Sequence, residues 1–154
     1  MKQKIRFSVF ETNSSSTHSI SIDDRKIFDT VEDKENYFKK FNNLKIDENN
    51  NVIVPNYAFG WGYETYTDAE AKLAYALLDA DDDNIRRDMI YDAVRKFTDC
   101  NDILFGDSDK GIYYDNYIDH QSRDTCNDFC NDVDEYINFI FNPDIELIID
   151  NDNH

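Results

Sequence analysis

The sequence predicts a single α+β domain over residues 1–154, with a small mixed or antiparallel sheet packed against about three to four helices. Its 154 residues suit one domain, and 40% hydrophobic residues with 14% aromatic residues are enough to build one core. Short alternating segments, typical of half-buried strands, are interspersed with segments of helical periodicity. Because strands and helices do not alternate strictly, the pattern favours α+β over a parallel α/β fold.

The strands are predicted from alternating apolar and polar residues and from the turns that bound them. Lys4–Phe10 and His18–Asp23 alternate in this way, and the polar loop Glu11–Thr17 between them predicts a hairpin. A turn at Asp47–Asn51 precedes a short strand at Val52–Val54. Two further strands are predicted in the last third of the chain, at Ile112–Ile118 and Ile145–Ile149.

The helices are predicted where apolar residues recur every three or four positions. Thr67 and Glu70 form a T-x-x-E capping box that opens one of them. The longest helix is capped by Ser122 or Asp124 and stopped by Pro143. In chain order, the predicted helices cover residues 32–44, 67–78, 84–98 and 122–141.

The charge of the chain excludes two classes of partner. There are 33 acidic and 16 basic residues, giving a formal net charge of −17. A protein that binds nucleic acid directly needs an excess of Lys and Arg for the phosphates, and an anionic membrane repels an acidic surface. No apolar run approaches the ~20 residues of a membrane span, and the first ten residues lack a signal-peptide core. We therefore expect a soluble, cytoplasmic protein.

The acidic residues are concentrated toward the C-terminus. Residues 1–50 carry nine basic and nine acidic side chains, residues 51–100 carry five and ten, and residues 101–154 carry two and fourteen. Such a gradient produces either a solvated surface or an acidic face that meets a basic partner, such as a protein whose own ligand is nucleic acid. The sequence leaves both interpretations open.

The longest predicted helix carries a row of carboxylates. At steps of three or four residues it contains Asp124, Asp128, Asp132 and Glu135. Like charges at this spacing destabilise a helix by about 0.2–0.5 kcal/mol per pair. This cost invites a functional explanation, namely imitation of a phosphate backbone, although an exposed face in a very acidic chain is the slightly favoured interpretation. Asp107 and Asp109 extend the candidate partner-binding set.

The three cysteines, Cys100, Cys126 and Cys130, include no C-x-x-C pair, so they do not predict a disulfide framework. Cys126 and Cys130 lie four positions apart on one predicted helix face and could chelate a metal together. They also belong to an apolar stripe, and a free cysteine is commonly a small core residue. We favour the core for Cys130 and for Cys100, and we keep Cys126 as a candidate ligand because it is nearer to His120.

Two histidines at predicted strand ends are the candidates for a metal site. His18 begins a strand directly after a Ser-rich loop, and His120 ends one directly after Asp119. Imidazole and carboxylate groups are ligands of Zn²⁺, and Glu11 or Glu64 could add a further carboxylate. The alternatives are a helix-capping role for His120 and a half-exposed strand position for His18. The candidate zinc ligands are His18, Asp119, His120 and Cys126.

The segment Phe10–Ser19 reads FETNSSSTHS and resembles the N-terminal signature of a family of small phage and prophage proteins. Further segments are similar to that family, so the likeness spans most of the chain. They are Phe59–Trp61, Tyr66–Asp68, Tyr117–Ser122 and Asn151–Asn153. The tail has Asp150 where the family pattern leads us to expect Gly, and the cysteines lie outside the shared motifs.

Some proteins of this family look like inhibitors of type II CRISPR effectors, so the resemblance implies a zinc-containing anti-CRISPR protein and not an enzyme. It gives weight to Glu11, Asn13, His18, Asp119 and His120. An inhibitor of this kind would act in the cytoplasm of the infected bacterial host. RNA-guided nucleases hold their heteroduplex in a positively charged channel, so we expect the acidic face to dock on that basic surface and block loading of nucleic acid.

An enzyme is the alternative interpretation. A metal-dependent hydrolase of a nucleotide or signalling molecule would use His18, Asp119 and His120, with an open coordination position for water. The sequence contains no Walker loop, GxGxxG, GxSxG or HExxH motif, which weighs against this alternative. A component of the phage particle is a third possibility.

Overall fold

The computed structural model describes residues 4–8, 16–23, 25–55, 57–59, 63–80, 83–105, 117–118 and 129–151. The described strands are β1 (Lys4–Ser8), β2 (Ser16–Asp23), β3 (Lys45–Ile46), β4 (Asn51–Val54), β5 (Ala58–Phe59), β6 (Tyr63–Tyr66), β7 (Asp102–Phe105), β8 (Tyr117–Ile118) and β9 (Ile145–Asn151). The described helices are α1 (Val31–Lys40), α2 (Ala69–Ala80), α3 (Asn84–Thr98) and α4 (Val133–Phe141). These elements form one α+β domain, as the sequence predicts.

The largest sheet is antiparallel and has the strand order β1-β2-β9-β6. The predicted hairpin is confirmed, because β1 pairs with β2 and Phe7 lies opposite Ile20. Strand β9 inserts between β2 and β6, although more than 70 residues separate it from each of them in the chain. Its buried residues Ile145, Leu147 and Ile149 confirm the predicted buried strand, which extends further, to Asn151.

The remaining described strands form two smaller sheets. Strand β4 pairs antiparallel with β3 and parallel with β7, and β5 pairs parallel with β8. The β3–β4 turn is built by Asp47, whose Oδ1 accepts hydrogen bonds from the backbone N–H of Asn49 and of Asn51, both at 2.9 Å. Asn50 in this turn has φ of 62°, a left-handed conformation that Asn tolerates better than most residues. Of the predicted strand at 112–118, residues 112–116 lie outside the described part.

Helix α2 is the centre of the core, with all twelve of its residues buried. Nine of the twelve residues in its sequence, AEAKLAYALLDA, are apolar, which is typical of an interior helix, and the other three are Glu70, Lys72 and Asp79. Helices α3 and α4 pack together through Phe97 and Phe141, whose rings stack with centroids 4.1 Å apart. The buried set around them includes Tyr75, Tyr136 and Phe139.

The helix boundaries follow from capping. Helix α3 has the predicted bounds, because Asp83 caps its start and Asp99 ends it in a left-handed conformation with φ of 59°. The predicted capping box at Thr67 is wrong, since the Asp68 carboxylate accepts the backbone N–H of Ala71 at 3.0 Å and α2 begins at Ala69.

The continuous helix predicted for 122–141 is also wrong. Cys130 and Asn131 are not helical, and Asp132 is an extended N-cap with φ of −149°. A residue with extended φ and ψ cannot continue a helix, and its carboxylate instead caps the new one. The C-terminal helix, α4, therefore begins at Val133, so the four carboxylates from Asp124 to Glu135 do not share one helix face.

Candidate functional site

The structure describes only part of the predicted site. Asp132 and Glu135 are described with their side chains, and His18 is placed in strand β2 by its backbone pairing. The other predicted site residues lie outside the described residues; they are Asp107, Asp109, Asp119, His120, Asp124, Cys126 and Asp128. The described part of the candidate acidic face is therefore the first turn of α4.

The carboxylates that begin α4 form a reciprocal capping arrangement. Asp132 Oδ1 accepts the backbone N–H of Glu135 at 2.8 Å, and Glu135 Oε1 accepts the backbone N–H of Asn131 at 3.2 Å. The Asp132 carboxylate satisfies an N–H group that the helix leaves without a partner, the Glu135 carboxylate binds the residue before the N-cap, and both charges complement the positive end of the helix dipole. The sequence contains this D-x-x-E spacing, which is typical of a helix start, but the prediction of one longer helix placed both residues inside that helix. Asp132 remains exposed, so capping leaves its negative charge at the surface.

Asp134, between these two residues, is paired with a basic side chain. Its carboxylate lies 3.0 Å from Lys96 Nζ on α3, and the two side chains are 78% and 63% exposed. An ion pair this exposed stabilises a protein by about 0–1 kcal/mol, because water and salt screen it. The pair consequently leaves Asp134 accessible to a partner.

The segment before α4 is fixed by an arginine. Arg86 Nη1 on α3 donates to the Cys130 carbonyl at 2.8 Å and to the Tyr136 hydroxyl at 3.0 Å. Cys130 is fully buried, which confirms the predicted core position, and burial raises the pKa of its thiol. Its Sγ lies 3.7 Å from the Glu135 carbonyl, to which the thiol can donate a hydrogen bond within the core. Cys100 is 7% exposed and also belongs to the core.

The strand pairing relates the two predicted metal-binding segments. His18 of β2 and Glu64 of β6 lie opposite the same residue of β9, Ile149, on its two sides. They therefore occupy one row of the sheet, at the end where β2 and β6 begin. Glu64 is exposed, and its carboxylate accepts the Tyr66 hydroxyl.

Strand β8 ends beside the end of β5, and the end of β5 comes shortly before β6 in the chain. Its last residue, Ile118, pairs with Phe59, the last residue of β5 in a parallel ladder. Strand β6 begins four residues after Phe59, and Asp119 follows Ile118 directly in the chain. The chain therefore passes from the paired ends of β5 and β8 to the beginning of β6 within four residues. Among the described residues alone, no group of three or more His, Cys, Asp or Glu side chains is arranged to hold a metal ion.

A cleft of about 440 Å³ lies among α1, α3 and α4. Phe38, Phe97 and Ile137 contribute its apolar lining, and Lys96 and Asp134 lie at its rim with other charged residues of both signs. None of the described residues that line it offers an imidazole or a thiol.

Comparison of the chain with protein-family models, curated proteins and solved structures gives no match. Among the helices that the structure describes, none combines the length and apolar character that crossing a membrane requires.

Proposed function

We propose that this protein is an acidic inhibitor that docks on the basic, nucleic-acid-binding surface of a bacterial RNA-guided nuclease. The observation that carries the proposal is the charge distribution, with fourteen acidic and two basic residues in the last 54 positions. A surface this negative is attracted to the channel in which such a nuclease holds its heteroduplex, and it excludes nucleic acid from the same place. The resemblance of the FETNSSSTHS segment to phage proteins supports this choice among basic partners.

The way α4 is anchored also supports a binding role. Tyr136, Phe139 and Ile140 are buried in the core, while Asp132 and Asp134 on the other side are exposed. Charges carried by a packed helix are held in fixed positions, so their attraction to a partner is not offset by a large loss of side-chain and backbone entropy.

We further propose that a structural zinc ion joins the N-terminal hairpin to the segment after β8. Its candidate ligands are His18, Asp119, His120 and Cys126. Glu64 lies near the start of β6, a few residues after the end of β5 beside which β8 ends, and this connection supports the proposal. The ion would stabilise this end of the sheet and would have no part in a reaction.

Neutral variants that preserve helix capping test the acidic face. Asp132→Asn with Glu135→Gln removes two charges but keeps both hydrogen-bond acceptors. Asp88→Asn with Asp92→Asn, on the exposed face of α3, is the matched control because it removes the same charge elsewhere. The measurement is displacement of fluorescent guide RNA from a type II effector at several salt concentrations.

Each screened charge pair contributes roughly 0.5 kcal/mol to binding. We therefore expect the loss of two charges in the α4 variant to weaken inhibition by about fivefold, and the α3 control to weaken it less. Adding Asp124→Asn and Asp128→Asn should weaken inhibition further. Equal loss in the α4 and α3 variants would show that only net charge matters. Equal binding to an unrelated basic nucleic-acid-binding protein would refute the choice of an RNA-guided nuclease.

The zinc proposal is tested by elemental analysis of the untagged protein by plasma mass spectrometry. We expect about one zinc per chain in the wild type and its loss in His18→Ala and in His120→Ala, because a site with a missing ligand binds zinc far more weakly. Zinc in neither the wild type nor its refolded, zinc-supplemented form would refute the site. The acidic-face experiment is independent of that outcome.

A further inference from the structure

Lys72 is a lysine without exposed surface in the middle of the core helix α2. Its Nζ donates to two backbone carbonyls, at 2.7 Å to Asn142 and at 3.1 Å to Ile145. These two residues bound the turn that connects α4 to β9. A single amine from a different helix therefore holds both ends of this turn.

The same turn is held on its other side by the N-terminal half of the chain. The Tyr37 hydroxyl donates to Asp144 Oδ1 at 2.8 Å, and the Asp23 backbone N–H donates to the Asp144 carbonyl at 3.0 Å. Within the turn, the Ile145 N–H donates to the Asn142 carbonyl at 3.1 Å. The turn is thus the point where α2, α1 and β2 meet the C-terminal segment.

The two acceptors that the described residues offer to Lys72 Nζ fit an uncharged amine. A neutral amine has two N–H groups for the two carbonyls, whereas an ammonium has three. The nearest aromatic ring, Phe139 of α4, has its centroid 6.0 Å from Nζ, at the outer limit of a cation–π contact. None of the salt bridges between described residues involves Lys72.

The charged groups that face Lys72 compensate its burial only in part. Burial lowers the pKa of the Lys72 ammonium to about 7, and the carboxylates of Asp68, just before α2, and Asp144, in the turn, oppose this shift. The Asp144 carboxylate is already shared with the Tyr37 hydroxyl, which belongs to α1. From α4 and from β9, the atoms that face Nζ are the Phe139 ring and backbone carbonyls.

We infer that Lys72 is a proton-controlled latch on the turn between α4 and β9, which closes on the neutral amine and opens more often when the side chain takes up a proton. In the open state water reaches the amine and the ammonium is fully solvated. The open state therefore binds more protons than the closed state between pH 7 and the ordinary lysine pKa of 10.5. Opening must become rarer as pH rises through that window, and below it the contribution of Lys72 to opening no longer changes with pH.

Hydrogen exchange of the amides at 144–147, corrected for intrinsic exchange rates, tests the latch. We expect the opening constant to fall by about tenfold per pH unit between pH 7.5 and 9 in the wild type, since one proton is linked to opening. Lys72→Met should abolish this dependence, because methionine does not titrate. Lys39→Met, on the exposed side of α1, is the control and should behave as the wild type does.

Direct titration of Lys72 by carbon NMR at Cε keeps the inference testable if Lys72→Met does not fold. A midpoint close to 7 supports the latch, whereas a midpoint near 10.5 in the folded protein overturns it. An opening constant that does not change with pH in the wild type overturns it as well. The experiment uses the free protein, so its outcome does not depend on the proposed nuclease partner.

Discussion

Replacing Asp132 by alanine separates the two roles that the structure gives to this carboxylate. Asp132 caps α4 through the 2.8 Å hydrogen bond from the Glu135 N–H, and it also contributes surface charge. Loss of an N-cap acceptor typically costs about 1 kcal/mol, with a range of about 0.5–2 kcal/mol. For a chain of this length that cost corresponds to a decrease in Tm of about 2–4 °C.

Asparagine at the same position retains an acceptor and removes the charge. We expect Asp132→Asn to lose less than half as much stability as Asp132→Ala, because asparagine caps helices about as well as aspartate and only the charge–dipole attraction disappears. Inhibition of the nuclease should instead weaken equally in both variants if the partner responds to the charge. Stability and function are therefore affected to different extents by the two substitutions.

The assay is urea unfolding followed by circular dichroism, with guide-RNA displacement measured on the same preparations. Asp88→Ala is the control, since this exposed α3 residue should change stability by less than about 0.5 kcal/mol. Unchanged stability in Asp132→Ala would refute the capping geometry. Equal destabilisation by alanine and asparagine would show that charge, and not the hydrogen bond, stabilises the start of α4.

Two further predictions concern packing and surface charge. Phe141→Ala should destabilise the fold by about 3–5 kcal/mol, because it removes a buried ring that stacks on Phe97 at 4.1 Å and leaves a cavity, and a loss below 1 kcal/mol in urea unfolding would contradict this packing. Lys96→Met should change stability by no more than about 1 kcal/mol, because its ion pair with Asp134 is exposed, and a larger loss would show that the pair is shielded from water.

The sequence predicted the elements that depend on local signals. The N-terminal hairpin, the α3 boundaries and the buried strand β9 follow from alternation, helical periodicity and capping residues, which act within a few positions. The core position of Cys130 followed from the apolar stripe that contains it. The charge gradient is likewise a property of the sequence alone.

Other features depended on tertiary contacts. The backbone is not helical from Cys130 to Asp132, although the apolar periodicity continues through these residues. Apolar periodicity alone does not show whether one helix is continuous or interrupted. Strand β9 inserts between β2 and β6 because backbone pairing can join any two strands that the fold brings together, at any separation in sequence. The candidate zinc ligands cannot be related by spacing for the same reason, since about a hundred residues separate His18 from Asp119 and His120.

Lys72 is the clearest example of a residue whose environment depends on tertiary contacts and not on local sequence signals. The sequence places it in an apolar helical segment, and from the sequence alone a lysine at the protein surface cannot be distinguished from a lysine buried in the core. The tertiary structure decides between them, because α4, the turn and β9 enclose the amine and offer two carbonyls to it. The amino-acid sequence by itself determined the acidic character and the local elements of this protein, and the packing of distant segments determined which charged side chains reach the surface and which are buried.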